Sequence, residues 1–258
     1  MIEYVDDVAA AREARGVRMV VSGILPSPWS EAAKGVFHLA RVPVLAVRWI
    51  RGEPETIEWT GVRNVPSVVH DDEPPRTAAA EIVSLADRLA QGALLSAEAE
   101  ARVRTFGLLN EIAGEGGLGW CSRLAIIEAG IASEGARGFP LPIARMLAAR
   151  YGQPPRHPGG IRGRVREVLA LLEAELERSR ARGHRFFFGE QPGALDVYAA
   201  TFLTALSGWT LEDCPKALPF LQKVFADLHE ELGAEVPEAL MEHRRAMFDG
   251  HLPWPIAI

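Results

Sequence analysis

Ser27 stands where a strand, a tight turn and a helix follow one another in the sequence. Ahead of it runs Val17-Arg18-Met19-Val20-Val21-Ser22-Gly23, and behind it Glu31 to Arg41. The β-branched run bounded by glycine predicts a buried strand, and Ala33, Val36, Phe37 and Ala40 recur at helical spacing after Pro28. A helix N-terminus directs its unpaired N–H groups and the positive end of its dipole at the turn before it. That setting favours an anion or a thiolate beside Ser27. The competing reading of Ser27 is a plain turn residue between two prolines; Ser30 reads as a helix N-cap.

The elements that must position this turn follow in order. Pro43-Val44-Leu45-Ala46-Val47-Arg48-Trp49 reads as a second strand, parallel to the first through a right-handed crossover. Asn64-Val65-Pro66-Ser67-Val68-Val69-His70 reads as a third, with Pro66 at its entry, where a missing N–H need not break the ladder. Asp71 to Pro75 form a turn, with a very short edge strand at most. Thr77 then caps a helix whose Ile82, Leu85, Ala86 and Leu89 follow i, i+3, i+4, i+7 up to Gly92. Residues 1–16 read as a short helix or an extension without chemistry. Residues 92–96 form a linker, which divides the chain into 1–16, 17–92 and 96–258.

Beyond the linker every periodic segment is helical. Ser96 caps one with Val103, Phe106 and Leu109 on a face, and Trp120, Leu124, Ile127 and Ile131 line the next. A short helix over 143–150 precedes a Pro/Gly loop. Val165, Val168, Leu169, Leu172 and Leu176 then mark a long helix stopped by Gly183. Phe186-Phe187-Phe188-Gly189 leads through Gly193 to Asp196, placed to reach back to unpaired N–H groups of a first turn. Thr210 to Gly233 reads as a helix, with a last one from Pro237.

Composition bounds the function. A chain of 258 residues, 48% apolar and 24% charged, can bury a core without staples. A net charge of -6 argues against nucleic acid or an anionic membrane as partner. The two cysteines, Cys121 and Cys214, are far apart with no Cys/His cluster, which indicates neither a metal site nor a disulfide framework. No apolar run is long enough to span a bilayer, and a cytoplasmic location is expected.

Three motifs in this order, Ser27-Pro28-Trp29-Ser30, Val65-Pro66 and Phe188-Gly189 to Asp196, resemble the glutathione transferase superfamily over residues 17–230. The resemblance implies an α/β thioredoxin-like domain followed by an all-α helical bundle, with glutathione as co-substrate, no metal, and a two-fold homodimer. It places Ser27 at the glutathione sulfur, Val65 as a backbone clamp before a cis Pro66, and Arg76-Thr77 at the γ-glutamyl end. Arg76, which offers only donors, stands where the family has an acidic residue or Gln. His38 falls where the family sometimes has a basic ligand contact, and Arg48, Arg51 and Arg63 fall near the expected glycyl carboxylate, a solvated arginine being the plain alternative. Trp29, Trp120 and Phe139 are candidates for the apolar wall of a second-substrate pocket. Asp196 reads as structural.

The implied chemistry is that of a thiol. A free thiol titrates near about 8.5, and lowering that by about two units takes roughly 2.7 kcal/mol of differential stabilisation. A serine hydroxyl at a helix N-terminus supplies such a term by donating to the thiolate. With serine rather than cysteine at positions 27 and 30, protein-thiol exchange is disfavoured. The expected activity is attack of the glutathione thiolate on a small hydrophobic electrophile, or its use in isomerisation or cleavage. The alternative is a protein of the same fold that has lost the cofactor and serves as a binding or scaffolding protein.

Overall fold

Strand β2 (Val17–Ser22) is buried along all six residues, because it occupies the interior of a sheet whose two faces are both covered. In the computed structural model, which describes residues 1–49 and 54–258, β1 (Ile2–Val5), β3 (Val44–Trp49) and β4 (Ser67–His70) complete that sheet in the order β1-β3-β2-β4. β2 and β3 pair in parallel, as the strand–helix–strand pattern requires, and β4 runs antiparallel to β2. The crossover between β2 and β3 is helix α2 (Pro28–Leu39), which buries Ala32, Ala33, Val36 and Phe37. Burying a side chain of Val or Phe size stabilises by about 1.5–3 kcal/mol, and the periodicity read from the sequence marks this face.

Residues 1–16 do more than extend the chain. They form β1, which adds a parallel edge strand beside β3, and α1 (Val8–Glu13), capped by Asp7, whose Oδ1 accepts from the N–H of Ala9 and Ala10. Helix α3 (Pro54–Thr60) precedes β4, and α4 (Ala79–Leu89) follows it. Thr77 does not cap α4. Arg76 exchanges both backbone hydrogen bonds with Val68 at 2.8 Å, so the chain is still extended there and the N-cap falls at Ala78, whose N–H donates to Glu81 Oε2.

The linker is anchored: Leu94 and Leu95 are buried and donate their N–H groups to Asp87 Oδ1, each at 2.9 Å. Helices α5 (Ala99–Ala113), α6 (Leu118–Ala132), α7 (Leu141–Tyr151), α8 (Gly160–Ala181), α9 (Ala194–Thr204), α10 (Pro219–Leu232) and α11 (Glu238–Gly250) make up the rest, with a 3-10 turn at Gly233–Glu235. The apolar stripe of α8 is fully buried. Three sequence expectations shift. Glu98, not Ser96, caps α5, and its inner face is Ala101, Thr105, Leu109 and Ile112, leaving Val103 72% exposed. That face is partly polar, and Thr105 satisfies its hydroxyl on Ala101 O at 2.8 Å, so a search for apolar spacing picks the wrong stripe. Ile131 is 42% exposed near the end of α6. The helix expected from Thr210 begins only at Pro219, since Asp213 holds the Thr210 N–H in a turn at 2.7 Å and Pro215 follows.

Helix α9 is buried along its whole length and packs on α2. The approach is close enough that a Cβ at Gly35 would lie 2.6 Å from Val197 Cγ1. The sheet and the helices therefore share one continuous core.

Candidate functional site

The Ser22 end of β2 collects the chemistry. Five residues on, Ser27 is the N-cap of α2, only 8% exposed, with its hydroxyl making no capping hydrogen bond. Ser30, which the sequence suggested as the cap, is the third helical residue; its buried hydroxyl instead accepts from the Ser22 N–H at 3.1 Å and ties the helix start to the strand end. The hydroxyl of Ser27 is thereby the one left at the mouth of the helix, beside the N–H groups that α2 cannot satisfy internally.

Register brings Val65 and Pro66 to the same place. Ser67 lies opposite Val20 in the antiparallel ladder, so the two residues before Ser67 continue alongside Val21 and Ser22. Their peptide bond is cis. On the other side of β4, Arg76 lies opposite Val68, which carries Thr77 and the start of α4 alongside Ser67 and Pro66. One end of the sheet thus gathers the N-termini of two helices, each longer than eight residues, the Ser27 hydroxyl and the backbone around a cis proline. Such an end attracts negative charge. Ser67 buries its Oγ there without a partner.

Arg76 does not aim its charge freely at that end. Its guanidinium is paired with Glu73, which also takes Arg88 at 2.6 Å and His70 Nδ1 at 2.8 Å. The His70 hydrogen bond first, then Arg88 and Arg76, hold the Glu73 carboxyl down to about 2. Nothing in the spacing of Asp71-Asp72-Glu73-Pro74-Pro75 singled out Glu73 as the hub; its role appears only when the turn folds His70 and Arg76 onto it.

The remaining candidates scatter. His38 lies in the last turn of α2, about 16 Å along the axis from Ser27 at 1.5 Å per residue, and lines a cavity that also reaches Pro26 and Pro28. Arg48 stacks on the Tyr4 ring at 4.1 Å and donates to Ile258 O at 3.0 Å, Arg63 is exposed, and Arg51 falls outside the described residues. Trp29 donates its indole N–H to Ala113 O at 2.8 Å and meets Phe202 edge-on at 5.1 Å, so it ties α2 to α5 and α9. Trp120 packs on Tyr151 at 4.6 Å. Phe139 is buried beneath the Arg123 guanidinium. Burial pushes both cysteine thiols up to about 11, which leaves neither as a nucleophile at neutral pH. Among the described residues no cluster of His, Cys, Asp or Glu could hold a metal ion, and no helix is long and apolar enough to cross a membrane.

Comparison with known proteins bears on this arrangement. Residues 124–228 match the family model described as glutathione S-transferase, C-terminal domain. No curated protein matches the chain. Among solved structures, the chain is similar to the Tau class glutathione S-transferase of mango, Mangifera indica L., at 21% identity over 90% of this chain and 98% of that one, with a TM-score of 0.50. A glutathione transferase family member from Pseudomonas fluorescens pf-5, solved with two glutathione bound, is 16% identical over 95% and 98%, with a TM-score of 0.52. A glutathione S-transferase from Methylobacillus flagellatus kt, solved with glutathione bound, is 13% identical over 88% and 98%, with a TM-score of 0.50. At these identities the likeness is one of fold.

Proposed function

We propose that this chain, which has the glutathione S-transferase fold and matches its C-terminal domain over residues 124–228, binds glutathione at the Ser27 end of the sheet and activates its thiol. The observation that carries the reading is the convergence of the uncapped Ser27 hydroxyl with cis Val65-Pro66 and the start of α4. Val65 offers its backbone to the cysteinyl part of glutathione, and Thr77 with the N-terminus of α4 offers donors to the γ-glutamyl carboxylate. The Ser27 O–H donates to the sulfur. The thiol proton leaves to solvent and the thiolate forms a C–S bond to an electrophilic carbon of a small hydrophobic molecule; in a substitution the leaving group departs with the electron pair of the broken bond, and in an addition the resulting anion takes a proton from water.

Pairing of Arg76 with Glu73 supports this reading over a binding protein of the same fold. A free guanidinium beside the ligand's ammonium would repel it, whereas one drawn back onto a carboxylate repels it less. Glutathione-bound structures of the same fold add to the case. The test is calorimetric titration of glutathione into the wild-type protein and Ser27→Ala from pH 6 to 9. Proton release near neutrality in the wild type, moved upward by about one unit or more in the variant, is expected from the loss of one hydrogen bond to a charged acceptor. Identical proton release in the two proteins refutes the role of Ser27, and absence of binding at millimolar glutathione refutes the site.

A further inference from the structure

The end of α8 closes in a turn that sets basic residues side by side. Gly183, at φ 84°, leaves the helix through the left-handed region; its N–H reaches Arg180 O at 2.9 Å and the His184 N–H reaches Ser179 O at 3.1 Å, the paired bonds of a glycine-terminated helix. Ser179 donates its hydroxyl to Phe186 O, and Phe186 donates its N–H to Gly189 O at 2.9 Å, which fixes the chain beyond the turn. Ser179 O and Arg180 O are thereby met by main-chain donors. Among the described residues, none of the side chains of Arg180, His184 and Arg185 caps the helix.

A cavity of about 290 Å³ lies between this turn and α11. Arg180, His184 and Arg185 line it from the turn, Glu242 and His243 from the helix, and Phe186 adds an apolar part. Its donors are uncommitted. The Arg185 guanidinium rests over the Phe186 ring at 5.3 Å, and that of Arg180 comes only to 3.8 Å from the Glu242 carboxylate, beyond hydrogen-bond reach. His243 is 3% exposed, and its Nε2 is buried 3.2 Å from Asp196 Oδ1 without making a hydrogen bond. Buried polar side chains as a rule have a partner, and a ligand that accepts a hydrogen bond would give this ring one.

The balance of charge favours an anion. Two guanidiniums face one carboxylate, and the doubly protonated form of His243, with one N–H toward Asp196 and the other free to donate, balances the carboxylate behind it. One positive charge is left over, before any proton on His184. A guanidinium fork matches a phosphoryl group, which brings close to two negative charges and three acceptor oxygens at pH 7, where a carboxylate brings one charge and two oxygens. The net charge of -6 on the chain gives no field to gather a polyanion. A cavity of about 150 Å³ takes a benzene ring, so one of about 290 Å³ holds a phosphoryl group together with a small organic body.

We infer that this cavity binds a small phosphate monoester, whose phosphoryl oxygens accept from the guanidinium groups of Arg180 and Arg185 and from the His243 ring. Its lining contains none of Ser27, Val65, Pro66, Arg76 and Thr77, so the site stands whether or not glutathione binds at the Ser27 end.

The experiment is calorimetry on the full chain at about 0.15 M salt, with phenyl phosphate and phenylacetate as probes, each with and without glutathione. We expect phenyl phosphate to bind one per chain, unaffected by glutathione, and about tenfold or more tighter than phenylacetate. Arg180→Gln and Arg185→Gln should each weaken it about tenfold or more, the effect of a hydrogen bond between charged groups, and Glu242→Gln should tighten it. Arg182→Gln removes the same charge from the same turn without lining the cavity, and should leave affinity within about twofold because salt screens a charge outside the contact. His243→Asn should weaken binding as the arginine variants do; if it does not fold, the variants at positions 180, 182, 185 and 242, all exposed, still decide. Equal losses at positions 182 and 185 reduce the site to general attraction toward a basic helix end and overturn it. Equal affinity for phenylacetate overturns the phosphate assignment, and displacement by glutathione, or no binding at millimolar phenyl phosphate, overturns the site.

Discussion

Replacing Asp196 by alanine should remove a large part of the stability of the fold without touching glutathione affinity. Asp196 is 2% exposed in the first turn of α9. Its Oδ2 accepts from the Gly193 N–H at 2.8 Å, its Oδ1 accepts from the Phe187 N–H at 3.1 Å, and His243 Nε2 lies 3.2 Å from Oδ1. Gly193 cannot cap the helix with a side chain, so the carboxylate reaches back and does so instead, and by bonding Phe187 it also ties the aromatic run to the helix start. Hydrogen bonds to a charged group are worth about 1.5–3 kcal/mol each. Two of them lost, with the Phe187 N–H left unpaired in the core, sum to about 3–5 kcal/mol for Asp196→Ala. Asn keeps one acceptor oxygen and turns its amide toward the other N–H, so Asp196→Asn should lose about half as much. Urea unfolding of the three proteins at pH 7, with ΔG taken from midpoint and slope, measures both. A loss under about 1 kcal/mol for alanine, or equal losses for alanine and asparagine, would refute the capping account. A drop in glutathione affinity of folded Asp196→Asn would refute its purely structural role.

Two further outcomes follow from the packing and the charges. Gly35→Ala gains helix propensity, worth up to about 1 kcal/mol in an exposed helix, yet its Cβ would sit 2.6 Å from Val197 Cγ1 and 3.2 Å from Leu252 Cδ2; overpacking costs about 1–3 kcal/mol, so thermal unfolding should come at lower temperature, and a rise would show that α2 and α9 have room to separate. Glu73, held near 2 against an ordinary 4.5, binds fewer protons folded than unfolded, so it contributes stability above pH 4.5 that is lost as pH falls toward 2. The full shift corresponds to about 3 kcal/mol, but with 29% of this side chain and 55% of its Arg88 partner exposed solvent screening leaves about 1. The gap in urea midpoint between wild type and Glu73→Gln should therefore be present at pH 7 and roughly halved by pH 3; a gap independent of pH contradicts the assignment.

What the sequence made legible was whatever a local rule governs. The buried run of β2, the helical face of α2 and the stripe of α8 each carry their own period, and the structure buries them. Cis Val65-Pro66 was readable as part of an ordered set of motifs. Features set by distant partners were not. β1 is four residues with no strong pattern, and it becomes a strand because β3 offers an open parallel edge. Thr77 had the chemistry of a cap, but the bridge between Arg76 and Val68 keeps its backbone extended and moves the cap on by one residue. The bond from the Trp29 indole N–H to Ala113 O, on a helix 84 residues away, carries no signal in the local spacing.

Arg76 shows why a departure from a motif must be judged with its neighbours. Read alone, it puts a cation where a ligand's ammonium would lie. In the fold its guanidinium meets a carboxylate three residues earlier, which is itself shared with Arg88 and His70. The backbone of Arg76 meanwhile makes a two-bond bridge that any residue but proline could make. The side chain and the main chain thus serve different ends at one position: the main chain sets where α4 begins beside Pro66, and the side chain is drawn back into the turn. The sheet register needs only the backbone of Arg76, while Glu73 takes up its side chain, which is how the proposed site could accommodate this departure from the motif.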